Sequence, residues 1–360
     1  MQQVYFPARV VRGSGAINQL GTIASALGKR ALVLGGKNAL AAASSLIDAQ
    51  LDAAGVLKCA DIWYGGECSE TQILRLAQEV RTHAADVVIA VGGGKALDTG
   101  KAVGLETSRP VITLPTIAAT CAAVTPLTIR YHDDGHFRDL YHLPVAPAVV
   151  IIDSDILAKA PLRWLAAGLG DTLAKWYELR AITDDKDVNG FGASSMANSH
   201  LCYQQIARFG AAACDAVRQR QASPALDQVL DAIFLFAGLT SLMSNGAHAA
   251  AAHALYEGFT VCDKTRSYGH GLLVGFGNLC LLALEGRSDE ALYEAIALAK
   301  DCAIPTSLEL IAPTLDSAEL TAILHAAVKA PDMGNMLHTV TVEALRDAIH
   351  RVERLAMSAS

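Results

Sequence analysis

The sequence predicts an α/β N-terminal domain built on a parallel sheet, followed by an all-α C-terminal domain, divided as residues 1–158 and 159–360. Three observations predict it. Short β-branched runs alternate with amphipathic stretches as far as Asp153, strand-like segments stop after Pro161, and the remainder reads with a helical period. At 360 residues the chain has room for two cores.

Strand candidates are Ala31–Leu34, Val87–Val91, Val111–Leu114 and Val149–Ile152, near-continuous apolar runs of the kind buried on both faces of a parallel sheet. Helical stretches separate them: Asn38–Ala54, Thr71–His83 and Lys95–Leu105. Between Leu127 and Pro144 an antiparallel excursion is expected, turning on Asp133-Asp134-Gly135. The second half reads as helices over Leu162–Ile182, Ser194–Arg218, Ala225–Ser244, Ala247–Phe259, Leu272–Leu284, Glu290–Cys302, Leu320–Lys329 and Val342–Met357. An α/β domain beside a helical one is expected to leave a cleft for cofactor and substrate.

Composition excludes several classes. Net charge is −7 and no cluster of Lys and Arg is dense enough to track a phosphate backbone, so no nucleic-acid partner is expected. Mean hydropathy is high at +0.31, carried largely by alanine. The longest apolar run, Leu272–Leu284, is shorter than the ~20 residues a bilayer span requires, so no membrane partner is expected. The start, MQQVYFPARV, lacks the basic and apolar regions of a signal peptide. Eight scattered cysteines without a CxxC pair suit reduced thiols and a cytoplasmic location.

Three loops carry candidate binding chemistry. VVIAVGGGKALDTGKAV joins a buried strand to a helix through Gly92-Gly93-Gly94, where the backbone can approach a phosphate and a helix N-terminus faces it. A tight turn without ligand is the bland alternative. At Gly35-Gly36-Lys37 the acid that commonly holds a ribose 2′-hydroxyl is missing; Gly36 followed by Lys37 suits a 2′-phosphate, or is a glycine turn with a surface lysine. In LPTIAATCAAVTPLTIRY, the small and hydroxyl-bearing Thr116, Ala119, Thr120 and Thr125 suit a loop pressed against a flat ring or a phosphate. Cys121 lies among them, with no charged neighbour in sequence to activate it.

The helical half supplies an acid, Asp171, with Lys175 one turn later on the same face. It also supplies His248, His253 and His270. An acid with imidazoles from separate helices is a ligand set for a borderline divalent ion, although no local metal signature marks it.

The motifs VGGGKALDTGKA, LPTIAAT, GLGDTLAKWYE, AAAHALYEG and YGHGLLVGFG, in this order and spacing, resemble the glycerol dehydrogenase branch of the iron-containing (group III) alcohol dehydrogenase superfamily. The resemblance runs from about Val4 to beyond Gly277. It implies a Rossmann-like N-terminal nucleotide domain with an all-α C-terminal domain, the architecture shared with dehydroquinate synthase, and also a nicotinamide cofactor, one divalent metal and a homo-oligomer. By position, Asp171, His253 and His270 match the metal ligands; zinc is expected, with iron, nickel or manganese as alternatives. Gly93, Gly94, Lys95 and Asp98 match the pyrophosphate turn and its helix. Thr116, Ala119, Thr125, Leu127 and Tyr131 fall where the family's nicotinamide-side contacts lie.

Departures redirect the substrate. Cys121 replaces a polyol-binding aspartate, Gly36 replaces the ribose acid, and Tyr256-Glu257-Gly258 stands where the family has HNG. This combination resembles hydroxycarboxylate dehydrogenases that reduce 2-oxo acids such as 2-oxoglutarate or 2-oxobutanoate with NADPH. Lys175 and Cys121 are therefore the candidate catalytic residues, Lys175 as partner of the substrate carboxylate or as proton donor. A solvent-facing lysine is the alternative for position 175. Tyr256, His248 and water on the metal are further candidate proton donors. The rivals are an NAD-dependent glycerol or diol dehydrogenase, a dehydroquinate synthase-like lyase and a silent binding protein.

Overall fold

A computed structural model describes residues 3–183, 190–244 and 247–358. They divide into two compact units, Met1–Ala160 with Ala216–Leu230, and Pro161–Asp215 with Asp231–Ser360.

The first unit is a parallel sheet with a separate hairpin. Its strands are β1 (Arg9–Gly13), β2 (Arg30–Gly35), β3 (Leu57–Trp63), β4 (Val87–Gly92), β5 (Val111–Pro115) and β8 (Val149–Asp153), in the order β1-β8-β5-β4-β2-β3. Helices α1 (Leu20–Leu27), α2 (Lys37–Ala53), α3 (Glu70–Thr82), α4 (Gly94–Thr107) and α5 (Ser154–Leu157) connect them. β4 and β5 are buried along their whole length, as apolar runs on an inner strand must be. The outer strands β1 and β3 escaped the sequence reading. They mix exposed positions such as Arg9, Arg12 and Asp61 with half-buried ones that include the charged Lys58, because each strand pairs along one edge only. The expected excursion is β6 (Leu127–Tyr131) paired antiparallel with β7 (Phe137–His142).

In the second unit α6 (Leu162–Ile182) has the boundaries the sequence predicts. It is followed by α7 (Gly190–Arg218), after which α8 (Pro224–Leu230) packs on α5 in the first unit. The single helix expected over Ala225–Ser244 is instead α8, a π-helical stretch over Asp231–Phe236, and α9 (Ala237–Met243). Among the described residues, Pro224–Met243 is the one helical stretch long and apolar enough to cross a membrane, and 56% of its most apolar window is buried. Then come α10 (Ala251–Phe259), α11 (Asp263–Arg266), α12 (His270–Leu284), α13 (Asp289–Asp301), α14 (Leu308–Ile311), α15 (Ser317–Lys329) and α16 (Val342–Ser358).

The crossing of α6 and α12 positions the site described next. A Cβ on Gly271 would run into the Ala167 carbonyl, and one on Gly170 into the Gly271 carbonyl. The buried Asn278 adds a bond from Nδ2 to the Gly170 carbonyl at 2.9 Å. Backbones can approach this closely only where both helices present glycine. The approach brings Asp171 on α6 beside His270 on α12.

Candidate functional site

In the first unit the carboxyl ends of β2, β4 and β5 stand level, Gly35 opposite Val91 and Gly92 opposite Pro115. Thr116 N–H donates to the Gly92 carbonyl at 3.1 Å, which keeps the departing turns side by side. From β2 the chain continues outward to β3, and from β4 it continues the other way to β5. The β2–β4 junction is thus a topological switch point, where open parallel sheets hold ligands. Gly92 takes φ +144°, a conformation other residues rarely adopt, and Gly93 caps α4 without any side-chain bond. The first turn of α4 therefore directs backbone N–H groups and a positive dipole end at the junction.

The cofactor-side candidates differ in how they are engaged. Gly94 opens α4. Lys95 Nζ lies 2.7 and 2.6 Å from the two Glu67 carboxylate oxygens and 4.6 Å from the centre of the Tyr131 ring. Asp98 is buried, paired with Lys101 at 2.8 Å and accepting from Ile129 N–H at 3.0 Å, so its carboxylate is committed within the unit. Gly36 is half-buried, and Lys37 is exposed with Nζ 4.4 Å from the centre of the Trp63 ring. Thr116 and Thr125 are buried; Ala119, Cys121, Leu127 and Tyr131 are half-buried. Cys121 opens a 3-10 turn whose cap is Thr120 Oγ1, accepting from Ala122 N–H at 3.4 Å.

In the second unit Asp171, His253 and His270 converge. His253 Nε2 is 3.4 Å and His270 Nε2 3.3 Å from Asp171 Oδ1, and one ligand atom from each residue lies within 4.8 Å of the others. Asp171 is buried, whereas the His270 side chain is 34% exposed, so the trio has an open side. The Tyr256 ring meets His270 edge-on at 4.3 Å between centroids, and burial pushes its phenol up, keeping it protonated.

Glu178, on the Asp171/Lys175 face of α6, organises the trio. It is completely buried. Oε1 accepts from the N–H groups of Ala250 and His253 at 2.8 and 2.9 Å, capping the first turn of α10 from another helix. Oε2 lies 2.6 Å from His253 Nδ1. Burial opposes a charge on His253, but Glu178 and Asp171 outweigh it and raise the imidazole to about 10. A metal must displace the Nε2 proton, after which Nδ1–H still donates to Glu178 and the Nε2 lone pair faces the trio. Asp171 is drawn well below the usual carboxylate range: burial opposes this, and Lys175 and the two imidazoles prevail. One carboxylate and two imidazoles, one of them oriented by a buried acid, fit a divalent ion.

Lys175 is buried, which removes the solvent-facing alternative. Its Nζ is 3.1 Å from His248 Nε2, and His248 Nδ1 is 3.1 Å from Ser244 Oγ. A lysine donating to Nε2 places the imidazole proton on Nδ1, toward Ser244. His248 precedes α10 rather than lying in it, since the helix starts at Ala251. Burial and then Lys175 hold its pKa well below the ordinary value. The unfolded chain takes up a proton near pH 6.5 that the folded protein refuses, so stability falls as pH drops below that point. The limiting slope from this residue is about 1.4 kcal/mol per pH unit. Denaturant unfolding from pH 7 to 5 is expected to show a shallower acid loss in His248→Gln.

A family profile described as iron-containing alcohol dehydrogenase matches residues 7–154. Over 347 residues the chain is 36% identical to the glycerol dehydrogenase of Thermotoga maritima, covering 92% of this chain and 90% of that one. The chain belongs to the iron-containing alcohol dehydrogenase family. It is also 32% identical over 328 residues to hydroxycarboxylate dehydrogenase A of Escherichia coli K12, covering 90% and 89% of the two chains. The crystal structure of a probable glycerol dehydrogenase from Sinorhizobium meliloti 1021 superposes with a TM-score of 0.84 at 31% identity, covering 99% of each chain. Membership makes this protein an NAD(P)-dependent dehydrogenase acting on CH–OH groups.

The sequence reading missed Glu178 and Asp332. Glu178 completes a 171, 175, 178 face on α6, a spacing legible in hindsight. Burial raises the pKa of Asp332, a residue of a distant segment that feels the charges of His253, Glu178 and Lys175. No pattern in the sequence joins it to them.

Proposed function

We propose that this family member reduces a 2-oxo acid to the 2-hydroxy acid with NADPH, using one divalent metal, zinc before iron, nickel or manganese. The observation that carries the reading is the buried Lys175, an ammonium on the Asp171 face of α6. Lys175 already acts on Asp171 and lies 3.1 Å from His248 Nε2, and its positive charge is of the sign that attracts a substrate carboxylate, while Cys121 brings no carboxylate to repel one.

In this reading Asp171, His253 and His270 hold the metal, Glu178 fixes the tautomer of His253, and Lys175 binds and orients the carboxylate. Lewis-acid polarisation of the C2 oxygen is what a divalent ion contributes there, and hydride donation is what the reduced nicotinamide contributes. The Lys175–His248–Ser244 chain is the candidate path by which a proton reaches the product oxygen. Gly93 and Gly94 receive the pyrophosphate, and Gly36 with Lys37 admits a 2′-phosphate. Eight scattered cysteines without a CxxC pair suit a cytoplasmic location.

A second reading, glycerol oxidation with NAD, has the higher identity in its favour, 36% against 32%. Initial rates with 2-oxoglutarate or 2-oxobutanoate plus NADPH, set against glycerol plus NAD, separate the two. Lys175→Thr is expected to raise KM for the 2-oxo acid by about tenfold or more, since a hydrogen bond to a charged group is worth about 1.5–3 kcal/mol. Unchanged KM and kcat would remove the carboxylate role and leave the metal assignment standing.

A further inference from the structure

Lys101 is a lysine with 3% of its surface exposed, on the helix that presents the Gly93-Gly94 turn. An ammonium has three N–H donors and no acceptor, and burial requires every donor to be used. The three acceptors are all main-chain carbonyls of one segment: Ala122 at 2.8 Å, Thr125 at 2.9 Å and Leu127 at 2.5 Å. The charge is met by Asp98 at 2.8 Å, one turn earlier on α4.

The same helix holds the segment further along. Asp98 accepts from Ile129 N–H at 3.0 Å through its other carboxylate oxygen, and its main-chain carbonyl accepts from Thr128 Oγ1 at 3.2 Å. From β5, Thr113 Oγ1 donates to the Ala123 carbonyl at 2.9 Å. The stretch from Ala122 to Ile129 is thus bonded at six residues to α4 and β5. Five of these six bonds use the segment's main-chain atoms and the sixth uses the Thr128 hydroxyl.

We infer that Lys101 is a positioning residue for the cofactor, locking the nicotinamide-side loop at a set distance from the phosphate-binding turn. The inference rests on the nicotinamide reading above. Gly94 and Lys101 are two helical turns apart, about 10 Å along the axis. One rigid helix therefore carries the anion-facing N–H groups at its start and, through Lys101, the loop bearing Thr125 and Leu127. Binding a dinucleotide across both then needs no ordering of the loop, which keeps the entropic cost of binding low.

The test uses full-length, metal-loaded protein and two ligands that differ only in the nicotinamide end: NADPH, and ADP-ribose 2′-phosphate. Lys101→Arg keeps the charge that buried Asp98 requires, so it preserves the fold, but its planar fork cannot reach three carbonyls arranged around a point. Lys101→Met removes the bonds altogether. Both are expected to weaken NADPH binding about tenfold or more, the scale on which supporting contacts usually act, with ADP-ribose 2′-phosphate held within about twofold. Hydrogen exchange is expected to quicken in residues 119–129 and not in α12.

Equal weakening of both ligands would make Lys101 a general stabiliser and overturn the inference. So would unchanged NADPH affinity in a folded Lys101→Arg. If wild-type protein binds neither ligand, the functional reading fails. Exchange in residues 119–129 of Lys101→Arg then still decides whether Lys101 holds the loop.

Discussion

An Asp171→Ala variant is expected to bind no stoichiometric divalent metal and to lose about three orders of magnitude or more in kcat/KM, since metal polarisation of a reacting oxygen is worth several kcal/mol. Asp171 is the only carboxylate in the trio, and both imidazole Nε2 atoms face its Oδ1. Removing it takes away a ligand and leaves two histidines to face each other, with ring centroids 5.4 Å apart. The variant should still bind the dinucleotide, because the Gly93-Gly94 turn belongs to the other unit. Metal content by mass spectrometry and dinucleotide affinity by fluorescence, measured on one preparation, check both halves. Full activity in a metal-free Asp171→Ala protein would refute the metal assignment.

Glu178 gives the second large effect. In Glu178→Gln the side chain has one oxygen and one NH2 group. If the oxygen continues to accept from Ala250 and His253 N–H, the NH2 faces His253 Nδ1 and forces that nitrogen to accept. The imidazole proton then moves to Nε2, the atom that faces Asp171, and no lone pair remains there for a metal. Metal affinity is expected to fall about 10- to 100-fold, with the fold retained. Glu178→Ala instead strands three buried donors and should cost about 3–5 kcal/mol of stability. Competition with a chromophoric chelator measures the first, denaturant unfolding the second. Unchanged metal affinity in Glu178→Gln would mean that Glu178 serves only to cap α10.

Where the sequence was legible, local physics set the structure. β4 and β5 are apolar apart from Thr113 because they are buried along their length, and the β6–β7 turn at Asp133-Asp134-Gly135 uses residues with a turn preference. β1 and β3 were not legible, since an edge strand needs no apolar run and theirs is broken by Arg12 and by Lys58 and Asp61. α10 begins at Ala251 and not at Ala247 as the sequence predicts; its first turn is capped by Glu178, 72 residues away from Ala250 in sequence.

The candidate site divides the same way. The shared face of Asp171 and Lys175 follows from a spacing of four, and α6 bears it out. Spacing did not single out His253 and His270; the family resemblance did, and the folded chain brings their Nε2 atoms to one carboxylate oxygen. Glu178 shares the 171, 175, 178 face of α6, whereas the bonds that Lys101 and Glu178 make to main-chain atoms of distant segments leave no trace in spacing.

Metal-dependent 2-oxo acid reduction is tested most directly by titrating metal into stripped wild-type enzyme while NADPH oxidation by 2-oxobutanoate or 2-oxoglutarate is followed by absorbance. A negligible rate is expected without metal, with a rise that saturates at one equivalent of zinc per chain. A rate indifferent to metal, or turnover with glycerol and NAD but with neither 2-oxo acid, would refute that function.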